Sequence, residues 1–191
     1  LMSVLLALAC AETTSGADAE AVLAEIAPVL DGKLGDACWR NAAPYTEFTA
    51  WRQDTGKLDD TTFRLAYDNM WLYIGLECRN PLQKLIFSPK VIEHDGAVHT
   101  DESVEIFLDP GTDGRLYYHF FLSCFNIKAE QSVQAVPALV RNRTWDHPWR
   151  AAVQRSDMGW TAELAIPLHL IASYGDFEKV RINIIRNRLA P

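Results

Sequence analysis

The residues best placed to do chemistry lie in one acidic stretch, Asp101-Glu-Ser-Val-Glu-Ile-Phe-Leu-Asp109. Its side chains alternate: Val104, Ile106 and Leu108 fall on one face, Ser103, Glu105 and Phe107 on the other. A two-residue period is that of a strand with one face in a core. Glu105 is then a mid-strand carboxylate on the face away from the core, where it is either simply solvated or aimed at a ligand. Asp101 shares that face, but four residues at about 3.3 Å each separate the two backbones by roughly 13 Å. Glu102 points the other way. No Gly-x-Ser-x-Gly elbow and no His-Glu-x-x-His metal motif occurs. Asp109 and Asp113 flank a turn without the ligand spacing of a calcium loop. The pattern fits binding better than catalysis, and it assigns no catalytic residue.

The elements that must hold this stretch are legible from period and turn chemistry. Pro110, Gly111 and Gly114 stop the strand, and the aromatic run Leu116-Tyr-Tyr-His-Phe-Phe-Leu-Ser123 returns beside it. A second hairpin joins Thr61–Asp68 to Trp71–Cys78 across Asp68-Asn69. In it Leu72, Ile74, Leu76 and Cys78 share one face, leaving Trp71 and Tyr73 on the other. Further strands are expected at 27–32, 45–50, 149–155, 159–166 and 180–187. Another, at 127–133, is expected to turn Lys128, Glu130 and Ser132 outward. Short helical turns are expected at Asp36–Trp39, tucking Trp39 beneath the sheets, and at His169–Ala172. The stretches 80–100 and 134–148 read as long loops, a length that in a compact domain is functional or disordered. About ten short strands with almost no helix predict an all-β, antiparallel β-sandwich of jelly-roll or immunoglobulin-like type, with a closed barrel as runner-up.

The 191 residues suffice for one domain with a sizeable core, and 49% apolar with 23% charged residues is an ordinary soluble balance. A net charge of -7 with scattered basic residues argues against a nucleic-acid surface. Leu1-Met-Ser-Val-Leu-Leu-Ala-Leu-Ala9 is apolar but too short to span a bilayer. It reads as the remnant of a signal peptide, so residues 1–26 divide into leader and tether (or a short helix) and residues 27–191 form the domain. Cys10 after Leu-Ala-Leu-Ala resembles a bacterial lipoprotein cleavage box, and Ala17-Asp-Ala19 offers ordinary secretory cleavage instead. Either implies export, to the cell envelope or the medium. Cys38, Cys78 and Cys124 lack metal spacing and suit buried thiols; Cys78 and Cys124 also share core parity, which leaves one disulfide open. The last strand ends at Ala190-Pro191 with no closing element, which suggests a domain incomplete at its C-terminus.

Four phrases in order carry a family resemblance: Val29-Leu-Asp-Gly32 with Asp36 and Trp39; Phe63-Arg-Leu-Ala-Tyr-Asp68 with Trp71-Leu-Tyr-Ile-Gly75; Asp101–Asp109; and Gly159-Trp-Thr-Ala-Glu-Leu-Ala-Ile-Pro167. Over residues 27–187 the chain resembles a family 9 carbohydrate-binding module, a β-sandwich of the wider DOMON-like group. The resemblance implies non-catalytic binding of a poly- or oligosaccharide, with a partner catalytic domain in the same or another chain of a polysaccharide-degrading system. It makes Glu105 a sugar contact. The physics agrees, since aromatic faces cover the C–H face of a sugar and carboxylates accept its hydroxyl protons. Three departures stand out. His99 falls near the place of one sugar-clamping tryptophan, Phe121 takes the place of a sugar-contacting arginine, and the second clamping tryptophan belongs beyond the last strand.

The candidate ligand residues are therefore Glu105, Trp145 in the second long loop, Trp71 and Tyr73, His99, and Arg186 near the end of the last strand with Asn187 beside it. Calcium, known in some relatives, stays open, and no metal ligand is assigned. Two alternatives accompany the reading. One is the binding part of a glycoside hydrolase, which would need two carboxyls ~5–9.5 Å apart. The other is a haem-binding DOMON-like electron-transfer domain with axial ligands drawn from Met70, Met158, His119 and His147.

Overall fold

Alternating apolar residues need a second alternating surface to close against, and the chain supplies one. The computed structural model describes residues 2–6 in their backbone, and residues 18–49, 57–58, 60–80, 88–172 and 179–188. Its elements, in chain order, are β1 (Met2–Leu6), β2 (Asp18–Leu23), α1 (Ala37–Asn41), β3 (Phe48–Thr49), β4 (Lys57–Leu58), β5 (Thr61–Tyr67) and β6 (Trp71–Arg79). After a single 3-10 turn at Val98–Thr100 come β7 (Ser103–Asp109), β8 (Leu116–Ser123), β9 (Lys128–Gln134) and β10 (Val140–Asn142). The chain continues with β11 (Arg150–Ser156), β12 (Gly159–Pro167), α2 (His169–Ala172) and β13 (Lys179–Asn187).

The main strands hydrogen-bond in the order β10-β9-β8-β7-β13-β1-β2-β5-β6-β12-β11, with β3 and β4 paired apart. The halves of this ribbon face each other as the two sheets of a β-sandwich. One carries β7, β8, β9 and β13, the other β5, β6, β11 and β12. Most pairs are antiparallel, but β1 runs parallel to β13 and β2 parallel to β5. The core lies between the sheets. Val104, Ile106, Leu108, Phe120 and Ile182 from one side meet Leu65, Ile74, Leu76 and Leu164 from the other, all buried. Fully burying a side chain of this size contributes about 1.5–3 kcal/mol, and interdigitated packing adds to it.

A smaller cluster covers the outer face of the second sheet. There α1 lays Trp39 over β6, with Tyr73, Ala66, Ala165 and Cys38 around it. Gly75 makes this approach possible, because a Cβ at that position would stand 3.0 Å from the Trp39 ring. Trp39 thus lies outside the sandwich, on the back of the second sheet, rather than between the sheets. Its indole donates to Glu163 Oε1 at 2.7 Å, while Glu163 Oε2 accepts the backbone N–H groups of Asp31 (2.9 Å) and Gly32 (2.8 Å). Gly32 has φ of 81°, a left-handed conformation that suits glycine. The segment before it is extended and held by Glu163 instead of forming the strand expected at 27–32.

Other expectations change as well. Asp18–Leu23 is a strand with Ala19 and Ala21 in the core, not a tether or a short helix. Met2–Leu6 pairs in its backbone with β13 and β2. The strand expected at 45–50 shrinks to a bridge from Tyr45 to Phe63 and the short β3. The loop expected at 80–100 falls partly outside the described residues. On β9 the parity is opposite to that expected: Glu130 pairs with the core residue Phe120 and is buried, accepting the Trp149 indole at 2.8 Å. Cys38, Cys78 and Cys124 are buried free thiols.

Ile106 is completely buried while Glu105 beside it is not. Ile106→Ala should therefore destabilise the protein by about 2–5 kcal/mol, measured by urea denaturation. Glu105→Gln should shift the midpoint far less, and equal shifts in the two variants would contradict this parity.

Candidate functional site

The outer face of the first sheet collects polar and aromatic side chains in a fixed register. On β7 the outward residues are Ser103, Glu105 and Phe107. Opposite them on β8 stand Ser123, Phe121 and His119, and on β13 Asn187, Ile185 and Asn183. His119 is in turn opposite Gln131 of β9. His119 Nε2 donates to Glu105 Oε2 at 2.7 Å, Asn187 Nδ2 donates to Glu105 Oε1 at 2.8 Å, and Gln131 Nε2 meets His119 Nδ1 at 3.0 Å. Glu105 keeps 14% of its side chain exposed.

Aromatic rings surround this polar row. The His119 ring stacks against Phe107 at 3.8 Å between centroids and lies against Phe121 at 3.9 Å. Tyr117 extends the series beyond Phe107, and His99 approaches Phe121 at 6.2 Å. His99 is carried by the 3-10 turn, which Asp101 anchors by accepting the backbone N–H groups of Lys90 and Val91.

The electrostatics follow from these contacts. Burial alone would raise the Glu105 pKa, but hydrogen bonds from His119 and Asn187, with the nearby His119 and His99, outweigh it and hold the carboxyl below its usual value. Burial pushes His119 downward, against the opposing pull of Glu105, so the ring stays neutral at pH 7.

Of the residues expected to form one site, Glu105, His99 and Asn187 come together here, and the others do not. Trp71 and Tyr73 do point away from their aliphatic neighbours, but on β6, which puts them on the outside of the other sheet. Tyr73 is buried beneath α1 and donates to Asp68 at 2.7 Å, while Trp71 carries Arg150 over its ring. Trp145 packs at the edge of the core, stacked on the inward residue Tyr118 at 4.8 Å. Arg186 faces inward with only 3% of its side chain exposed, bound to Glu102 at 2.7 Å and to the Arg79 carbonyl at 2.8 Å. It is a bridge between the sheets, not a surface contact. Parity would have shown this, since Glu102 and Arg186 carry opposite charges on inward positions. His119 and Gln131 were missed as site residues because only register reveals them.

Among the described residues, one group could hold a metal ion: His94, Asp95 and Glu130 at the far edge of β9. Haem ligation finds no matching arrangement. Both His119 nitrogens are engaged, His147 faces His169 at 3.0 Å, and Met70 and Met158 are exposed at separate turns.

An outward carboxylate beside aromatic rings on a β-sandwich is the arrangement the four sequence phrases implied, and the family comparison agrees. The family described as carbohydrate family 9 binding domain-like matches residues 30–187. The chain belongs to this family. A family 9 carbohydrate-binding module from Caldicellulosiruptor kristjanssonii, solved with glucose, is 20% identical and superposes with a TM-score of 0.52, over 78% of this chain and 69% of that one. A candidate carbohydrate-binding protein from Bacteroides uniformis is 14% identical with a TM-score of 0.57, over 83% of this chain and 75% of that one. Both share the fold. No curated protein sequence matches the chain.

Two measurements test this geometry. Arg186→Ala removes the cation beside the buried Glu102 carboxylate and should cost about 3–5 kcal/mol in denaturant unfolding, with much of the loss recovered when Glu102→Gln is added. The second is a pH series. The Glu105 carboxyl has a folded-state pKa below the ordinary 4.5. Its contribution is therefore present above that ordinary value and disappears as pH falls through the folded one. The stability gap between wild type and Glu105→Gln should narrow over this acid window.

Proposed function

We propose that this protein is a non-catalytic carbohydrate-binding module whose ligand sits on the outer face around Glu105. The observation that carries the reading is the Glu105 carboxylate, held by one donor on each oxygen and still partly exposed. Such a group accepts hydroxyl protons with little reorganisation, the property a sugar-binding site needs. Asn187 offers an amide beside it, and Phe107, Phe121 and His99 supply ring edges and faces for C–H contact. Trp145, Trp71, Tyr73 and Arg186 take no part in this site. Membership of the family supports the reading, as does the glucose held by the Caldicellulosiruptor module of the same fold.

Binding without hydrolysis is supported by what the neighbouring acids already do. Asp101 caps the backbone of Lys90 and Val91, and Glu102 is committed to Arg186 between the sheets. Neither is free to stand across a scissile bond from Glu105. The module is proposed to be exported, as its leader-like N-terminal pattern suggests, and to serve a catalytic domain elsewhere in its own chain or in a partner.

Calorimetry with glucose and a set of β-glucan, xylan and mannan oligosaccharides tests the proposal. One or more should bind, and Glu105→Ala should weaken the best of them by about 1.5–3 kcal/mol with the fold intact by circular dichroism. Steady release of reducing ends, lost on changing a single acid to its amide, would overturn the non-catalytic reading.

A further inference from the structure

We infer that His119 is a positioning residue of the carbohydrate site: held by Gln131 on one nitrogen, it locks Glu105 in place with the other as an acceptor for ligand hydroxyls. This rests on the binding function proposed above and adds a polar relay behind the contact residue. Three observations carry it. His119 Nε2 lies 2.7 Å from Glu105 Oε2 and His119 Nδ1 lies 3.0 Å from Gln131 Nε2. An ionised carboxylate only accepts, so the proton of the neutral ring sits on Nε2, facing it, and the lone pair left on Nδ1 takes the Gln131 N–H. Every link then donates toward Glu105, and such chains polarise one another.

The second observation is mechanical. The ring is held between Phe107 and Phe121 at 3.8 and 3.9 Å, so it has no room to turn its nitrogens elsewhere. The third is the far side of the carboxylate, where Asn187 occupies Oε1. An ionised carboxylate has about four acceptor positions, two on each oxygen. With one on each oxygen taken by the wall, one on each remains for the ligand, a pair that suits two neighbouring hydroxyls. The other charged groups near His119 are Glu105 on β7, Arg141 on β10 and His99 on the turn before β7. The groups contributed by β9 and β13, Gln131 and Asn187, are neutral amides.

The test uses the whole chain, labelled with carbon-13 and nitrogen-15. In the wild type at pH 7, His119 should show the Nε2–H tautomer. His119→Phe keeps the ring stack and removes both hydrogen bonds. The titration midpoint of Glu105 should then rise by about one pH unit, and glucose binding should weaken about tenfold. His119→Gln, which can present a side-chain N–H to the same oxygen, should return the midpoint toward that of the wild type. A wild-type Nδ1–H ring, or an unchanged Glu105 midpoint in His119→Phe, would overturn the inference. If wild type binds neither glucose nor any other saccharide, the carbohydrate reading fails, while the tautomer and the Glu105 midpoint still decide the relay.

Discussion

The guanidinium of Arg186, buried between the sheets, is the contact on which this end of the sandwich depends. Its Nε and Nη2 both bond Glu102 Oε1, and its Nη1 reaches the Arg79 carbonyl, the Asp60 carbonyl and the Thr61 hydroxyl. Arg186 belongs to β13, while Asp60, Thr61 and Arg79 lie at the ends of β5 and β6 in the opposite sheet. One planar fork of donors thus joins two sheets that otherwise meet through non-directional apolar packing. Hydrophobic contact alone tolerates sliding; this pattern of acceptors does not. A lysine, with one rotating ammonium, could not reproduce it.

The same logic repeats on the back of the second sheet. Glu163 gathers the Trp39 indole and two backbone N–H groups onto one carboxylate, at the cost of burial that raises its pKa. Three of the four phrases that carry the family resemblance therefore meet around one residue or its immediate neighbour, Gly75. Together they form a packing knot, and only the phrase containing Glu105 reaches the proposed ligand face. Recognition and folding are thereby kept on different faces of the molecule.

Much of this was legible in the chain, and the limits have physical causes. Alternation alone placed Glu105 outward and Val104, Ile106 and Leu108 inward, because a one-sided strand leaves no other assignment. Alternation could not say which of two outward surfaces a residue joins, so Trp71 and Tyr73 landed on the opposite side from Glu105. Trp145 sits in a loop, yet the loop folds back to close the core edge over Tyr118. Arg186 read as a solvated strand end although it shares the inward parity of Val180, Ile182 and Ile184. Glu130 defeated parity for a related reason: an inward carboxylate is tolerated where an indole N–H meets it. His119 needed the pairing of three strands before its two nitrogens acquired partners.

Arg186 and Asn187 are neighbours on one strand, one facing the core and the other the ligand. Slippage by a single residue would exchange them, putting an amide where Glu102 needs a cation and a cation where Glu105 expects an amide. The strand can therefore vary by substitution but hardly by insertion or deletion. Descent within such a lineage would leave the length of β13 fixed and push diversity into the loops around the ligand face. Sugar preference could then drift from one relative to the next while the frame that presents it stays unchanged.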